Sequence, residues 1–205
     1  MKLINEKDFM AEMESAKIEL LDDGQPAYTG DEDVLGFDFS NLTPASDGAG
    51  LIEHMTSGSR ATERAMVEAL FNIVKKLGLF PVFLMAVDDE WADEEQKALL
   101  ERGDLNETEV EAMEMILEND GNMKILMLEK DEMEEAVAIV TPQMTLLSNR
   151  VAAMDAQGRF LAYFSEDDEV SFNTTDPAIY QAARKLALEM RAEAPFEMIF
   201  AEDFT

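Results

Sequence analysis

The chain has 205 residues, 47% of them hydrophobic, and 45 acidic against 16 basic side chains give a net charge of −29. This length fits one domain, and the apolar content excludes disorder caused by low hydrophobicity. Because no cysteine is present, disulfides and thiolate metal sites are excluded as well.

The first third of the chain predicts two helices separated by a loop. Apolar residues recur at helical spacing from Asn5, the expected cap, to Leu21. A long irregular loop is expected at about 22–58, and its only strand-like part is residues 34–39. A second helix is expected over residues 60–77 and ends at Gly78.

A buried strand is predicted over Leu79 to Val87, a nearly continuous apolar run. Since Pro81 cannot donate a ladder hydrogen bond, the strand either lies at a sheet edge or begins after this residue.

An acidic helical segment follows at 88–121. One helix is expected from about Glu90 to Glu101, with Trp91, Ala98 and Leu99 as inward contacts. A second is expected from about Glu107 to Glu118, begun by the capping pair Asn106 and Glu109. We interpret Trp91 as a core anchor in preference to an interface residue, and the 15 methionines chiefly as core filling.

The last part of the chain is rich in predicted strands. They span 123–128, 136–141 (ended by Pro142), 150–155, 159–165 and 196–200. Ala156-Gln157-Gly158 is read as a hairpin turn, and Asp176-Pro177 begins a helix that extends to about Ala192. The order of elements favours a single α+β domain over 1–205, with a largely antiparallel sheet and about five helices.

The candidate site is a partner-binding surface in the acidic segment. Residues 88–135 hold 19 acidic and four basic side chains. The positions Glu107, Glu111, Glu114 and Glu118 share one helix face. The full predicted set is Asp89, Glu90, Asp93, Glu94, Glu101, Asp104, Glu107, Glu111, Glu114 and Glu118. The alternatives are an acidic surface that serves solubility alone, or adaptation to high salt.

Motifs for catalysis, cofactors or metals are not recognised. His54 is the single histidine, which excludes multi-histidine zinc sites, and it is interpreted as a loop residue. Gly48-Ala49-Gly50 lacks the pattern of a phosphate-binding loop. The acidic clusters at 31–33 and 88–90 do not fit a calcium loop, so no cofactor and no dedicated metal site are expected.

The charge also constrains location and partners. A pI near 4.1 disfavours direct binding to nucleic acid or to anionic membranes, because phosphate contacts need Lys and Arg. Since no apolar run reaches the ~18–20 residues of a membrane span, and the N-terminus lacks a signal-peptide pattern, a cytoplasmic protein is expected.

These observations favour a non-enzymatic acidic protein that occupies the basic surface of a nucleic-acid-binding or nucleic-acid-processing protein. Its carboxylates would imitate backbone phosphates, roughly 7 Å or less apart along one strand. Phage-encoded nuclease inhibitors and immunity proteins against nuclease toxins work on this logic, and the chain resembles them in charge and size class. The alternatives are a cytosolic chaperone or adaptor for a basic client, with a homodimer left open, and an enzyme that uses carboxylate-bound Mg²⁺.

Overall fold

The computed structural model describes residues 1–4, 6–22, 24–30, 33–40, 58–87, 91, 93–118, 125–147, 149–165 and 169–200. These residues form six helices and ten strands. The helices are α1 (Glu6–Ser15), α2 (Gly58–Leu77), α3 (Asp93–Arg102), α4 (Glu107–Leu117), α5 (Met133–Leu146) and α6 (Pro177–Met190). The strands are β1 (Lys2–Ile4), β2 (Ile18–Leu20), β3 (Pro26–Tyr28), β4 (Leu35–Ser40), β5 (Val82–Ala86), β6 (Ile125–Leu128), β7 (Val151–Asp155), β8 (Leu161–Ser165), β9 (Glu169–Thr174) and β10 (Glu197–Phe200).

Eight strands form one sheet in the order β1-β6-β5-β7-β8-β9-β4-β10, and β2 pairs with β3 in a separate hairpin. Every pairing among the described strands is antiparallel. The predicted α+β class with a largely antiparallel sheet is therefore confirmed.

The sheet has two apolar faces, because successive side chains of a strand point to opposite sides. On β5, Val82 and Leu84 belong to the larger core, whereas Phe83 and Met85 belong to a second cluster on the other side. The larger core lies under α2, α5 and α6. The second cluster lies under α1, whose Phe9 ring meets the Phe83 ring edge-on at 5.6 Å.

The helices on the larger core form two tiers. Helix α2 packs on α5, α6 and β9, and its Phe71 ring stacks on Phe164 of β8 at 5.7 Å. Helix α5 contacts β7 and β8, α4 packs on α5, and α3 packs on α4. The acidic helices α3 and α4 thus lie in the outer tier, and α5 lies between α4 and the sheet.

Most of the elements with strong local signals lie where the sequence places them. Helix α2 ends at Leu77, and Gly78 follows it with a φ of +68°. Strand β5 begins directly after Pro81 and pairs with β6 and β7, so it is a central strand and not an edge. The hairpin of β7 and β8 and strands β4, β6 and β10 are also confirmed.

The strand predicted over Ala136 to Thr141 is wrong, because these residues lie in helix α5, which continues through Pro142. Every residue from Ala136 to Met144 is buried. A helix that is buried on all sides shows no amphipathic period, so its β-branched run resembles a buried strand. Two acidic residues in the first turn favour the helix, since its N-terminus carries partial positive charge.

The first helix is shorter than predicted, since α1 ends at Ser15 and not at Leu21. Lys17 has a φ of 56°, which interrupts the helix, and Ile18 to Leu20 then form β2. The hairpin of β2 and β3 turns at Gly24, whose added Cβ would lie 2.2 Å from the Val87 carbonyl oxygen. Part of the predicted loop at 22–58 is therefore strand.

Three further strands, β1, β3 and β9, are absent from the sequence prediction. Several predicted features lie outside the described residues: the Asn5 cap, Gly48-Ala49-Gly50, His54, residues 31–32 and 88–90, and the expected stop at 119–121.

Candidate interaction surface

The N-terminus of α4 is fixed by the predicted capping pair. The backbone N–H of Glu109 donates to Asn106 Oδ1 at 3.0 Å, and the backbone N–H of Asn106 donates to Glu109 Oε2 at 3.0 Å. These reciprocal bonds satisfy two amide groups that a helix start otherwise leaves without partners. The start of α4 is therefore set locally by residues 106–109.

Glu109 also ties α4 to α2. Its side chain is only 2% exposed, and Arg60 Nη2 lies 2.6 Å from Oε2 while Arg64 Nη1 lies 3.4 Å from Oε1. Arg60 donates a second bond, from Nη1 to the Asp104 carbonyl oxygen at 2.7 Å. The two arginines compensate the buried carboxylate and hold the loop before α4 against α2.

The inward face of α4 is apolar. Ala112, Met113 and Ile116 are buried, and the helix packs on α5. Burial of these side chains and the ion cluster at Glu109 together determine which side of α4 faces outward.

The outward face carries the predicted row of carboxylates, which we call the α4 stripe: Glu107, Glu111, Glu114 and Glu118. All four are exposed. At about 100° per residue they fall within an arc of about 60°, and at ~1.5 Å rise per residue they cover roughly 16 Å of the helix axis. Within the described part of the chain, no basic side chain forms an ion pair with them.

Helix α3 places Glu94 and Glu101 in solvent, as predicted, but the prediction for Ala98 is wrong. Ala98 lies on the same exposed face because it follows Glu94 by four positions and precedes Glu101 by three. The inward positions of α3 are Leu99, as predicted, and Gln96, which is 0% exposed. Alanine is small enough to lie on either face of a helix, so its presence at position 98 did not indicate whether the side chain faces the core or the solvent.

The remaining predicted site residues differ in how available they are. Asp104 is 45% exposed, but its carboxylate accepts from Arg102 Nη2 at 2.8 Å, which partly neutralises it. Asp89 and Glu90 lie outside the described residues, and Asp93 begins α3 with its side chain undescribed. The α4 stripe is therefore the best-defined part of the predicted surface.

The Arg60–Glu109–Arg64 cluster is the feature that the sequence did not reveal. Glu109 was expected only as a capping residue, and no partner for it on α2 was predicted. Arg60 and Arg64 are four residues apart and so share a helix face, which is the one signal that could have suggested a common acidic partner.

The apolar side chains are mostly inside. Trp91 is 2% exposed within the larger core, which agrees with an anchoring role. Among the described residues, the large apolar side chains with substantial exposure are Met10, Leu21, Val34 and Leu188. They come from different elements, so the described surface offers scattered apolar residues in place of a methionine-rich patch.

A second polar region lies on the sheet face opposite the larger core. Asp38 points to this side because its neighbours on β4 enter the larger core. Burial raises the pKa of the Asp38 carboxyl above its usual value, and the nearby charge of Glu169 raises it further. Asn173 Nδ2 donates to Ser171 Oγ at 3.2 Å in the neighbouring strand. Ionised Asp38 is thus less favourable here than in water.

The described residues also bear on metal binding and on membrane insertion. No group of three or more His, Cys, Asp or Glu side chains in that part of the chain is placed to hold a metal ion. None of the described helices is long and apolar enough to span a membrane.

Compared with protein-family models, curated proteins and solved structures, the chain matches none of them.

Proposed function

We propose that the protein is a non-enzymatic acidic binding protein, and that the α4 stripe occupies a basic surface of a nucleic-acid-binding or nucleic-acid-processing partner. The observation that carries this proposal is the exposure of four carboxylates in one row on a helix whose opposite face is buried. Inhibitors encoded by phages and immunity proteins of bacteria are the kinds of protein that act in this way.

The spacing of the stripe supports contact with phosphate-binding side chains. Four carboxylates over roughly 16 Å give a mean separation of about 5.5 Å along the axis. Nucleic-acid backbones present phosphates roughly 7 Å or less apart along one strand, so Lys and Arg arranged for phosphates could also reach these carboxylates. Glu94 and Glu101 on the adjoining helix α3 extend the negative field.

The rigidity of α4 also supports a binding role. The capping pair, the buried Glu109 cluster and the packing on α5 fix the helix before any partner arrives. A surface that is already ordered loses less conformational entropy on association than a flexible acidic tail. Long-range attraction by a chain of net charge −29 would add fast, salt-sensitive association.

The test is charge reversal of the stripe. A variant with Glu107, Glu111, Glu114 and Glu118 changed to Lys should lose its partner in a pull-down from cell lysate and keep its fold by circular dichroism. Partner capture at the wild-type level by this variant would contradict the assignment of the surface.

A matched control separates position from total charge. Changing the exposed residues Glu14, Glu19, Glu193 and Glu197 to Lys alters positions outside the acidic helices α3 and α4. Each reversal adds two charges, so both variants move the net charge from −29 to −21. The proposal expects the control to retain the partner, whereas acidity that serves only solubility predicts equal behaviour of the two variants.

The alternatives lead to different measurements. A chaperone or adaptor would bind its client through apolar side chains and retain it at high salt, but the exposed apolar residues of the described surface are scattered. An enzyme with carboxylate-bound Mg²⁺ would show metal-dependent turnover. Neither alternative is favoured by a specific contact in the described part of the chain.

A further inference from the structure

A cleft of about 520 Å³ lies on the sheet side opposite the larger core. It is formed where α1 crosses the edge of the sheet near β1, β6 and β5. Its apolar part includes Ile4, Phe83 and Met127. Clefts of about 300–1,000 Å³ with an apolar lining and a few polar groups are typical of small-molecule sites.

Among the residues that the structure describes, the charged side chains that line the cleft are Lys2, Asp8 and Glu12. Asp8 and Glu12 are one helical turn apart on α1, and both are exposed, so their carboxylates lie beside the same part of the opening. Lys2 comes from β1. The described lining therefore combines apolar side chains with two negative groups and one positive group, and about half of its surface is polar.

The adjacent residues of α1 explain why the two acids face this cleft. Phe9 and Met13 are buried in the second cluster under the helix. Asp8 and Glu12 each precede one of these buried residues by one position, which places them beside the buried face and toward the sheet edge. The cleft is distinct from the α4 stripe, which lies in the outer tier on the other side of the sheet.

We propose that this cleft binds a small organic amine with an apolar body. The apolar part of the ligand would contact Ile4, Phe83 and Met127, and its ammonium group would lie between Asp8 and Glu12. The net negative lining, within a chain of net charge −29, attracts cations and repels carboxylates. This inference does not depend on the proposed function of the stripe.

The experiment compares three probes of similar size: 2-phenylethylamine, 2-phenylethanol and 3-phenylpropanoate. Binding to the full chain is followed by NMR of methyl groups, with Met127 and Ile4 as reporters in the cleft and Met115, which packs against the larger core, as the distant control. The amine should shift the cleft methyls in a saturable way, the alcohol should bind several-fold more weakly, and the carboxylate should not bind.

Substitutions test the contribution of each charge. The double variant Asp8→Asn, Glu12→Gln should weaken the amine by roughly three- to tenfold and leave the alcohol unchanged. Lys2→Gln should strengthen amine binding, because it removes a like charge. Glu14→Gln, an exposed position on α1 that does not line the cleft, should change nothing.

The proposal is overturned if the three probes bind equally, if none shifts the cleft methyls, or if the double variant binds the amine as the wild type does. Ala156→Phe provides a variant that blocks the cleft without altering charge. Unchanged amine binding by this variant, with its fold intact by circular dichroism, would also contradict the assigned location.

Discussion

Neutralising the α4 stripe should make the free protein more stable. Within the stripe, Glu107 and Glu111, Glu111 and Glu114, and Glu114 and Glu118 are neighbours three or four residues apart on one exposed helix face. Each like-charge pair destabilises a helix by roughly 0.2–0.5 kcal/mol, so changing the four residues to Gln should add about 0.6–1.5 kcal/mol to the free energy of unfolding.

The helix dipole leaves the expected gain in the free energy of unfolding nearly unchanged. Glu107 lies in the first turn, where negative charge is favourable, and Glu118 is the C-terminal cap, where it is unfavourable. Each of these contributions is about 0.3–1 kcal/mol, and they have opposite signs. For a chain of this size the melting temperature changes by about 2–4 °C per kcal/mol, so we expect a rise of about 1–6 °C.

Differential scanning calorimetry at low salt and in 1 M salt provides the assay. Since the Debye length falls to roughly 3 Å at 1 M, the gain should be mostly lost there. A variant that is less stable than the wild type at low salt, or a gain that is independent of salt, would refute the reasoning. In the first case the stripe would contribute to folding, and its exposure would not imply a partner.

Three other substitutions test the described contacts. Glu109→Gln should lower the free energy of unfolding by about 1–3 kcal/mol, because it removes the negative charge from the bonds to two arginines of α2. Urea titrations measure this change, and an unchanged midpoint would contradict a structural role for the cluster. Gly24→Ala should lower the melting temperature more than Gly78→Ala. Both glycines have a positive φ, but only a Cβ at Gly24 would meet a close backbone atom, the Val87 carbonyl oxygen. Equal effects of the two substitutions would argue against that close approach. Asp38→Asn should stabilise the protein at pH 7, where the ionised carboxyl is disfavoured by burial and by Glu169. This gain should shrink as the pH falls through the raised pKa toward the ordinary value of 3.8, and a gain that stays constant with pH would show that the carboxylate charge is not its source.

Local signals in the sequence were sufficient for α4. Asn106 and Glu109 predicted the capping pair, and the spacing of the four glutamates predicted that they share one face of the helix. These properties depend on residues at most four positions apart. The exposed stripe could therefore be identified before any tertiary contact was known.

Local sequence signals did not predict α5, because this helix is buried on all sides. Residues 136–144 are buried throughout, so the sequence contains no polar face that would distinguish a helix from a strand. The choice between them is made by tertiary packing, because α5 lies between the sheet and α4. Pro142 made the error worse, since it was read as the end of a strand.

Contacts between residues that are far apart in the chain could also not be predicted from the sequence. Arg60 and Glu109 are 49 positions apart, and no local pattern indicates that they meet. The cleft beneath α1 likewise combines residues from positions 2 to 156. Its existence depends on β1 joining the sheet beside β6, a pairing that three strand residues do not specify.

Competition with duplex DNA tests the central claim most directly. A protein captured by the wild-type chain at low salt is identified by mass spectrometry, and its retention is then measured with added duplex DNA and with the stripe changed to Lys. The proposal predicts one stoichiometric nucleic-acid-binding protein that DNA displaces and that the stripe variant does not capture. A captured protein that DNA leaves in place and that the stripe variant still binds would contradict it.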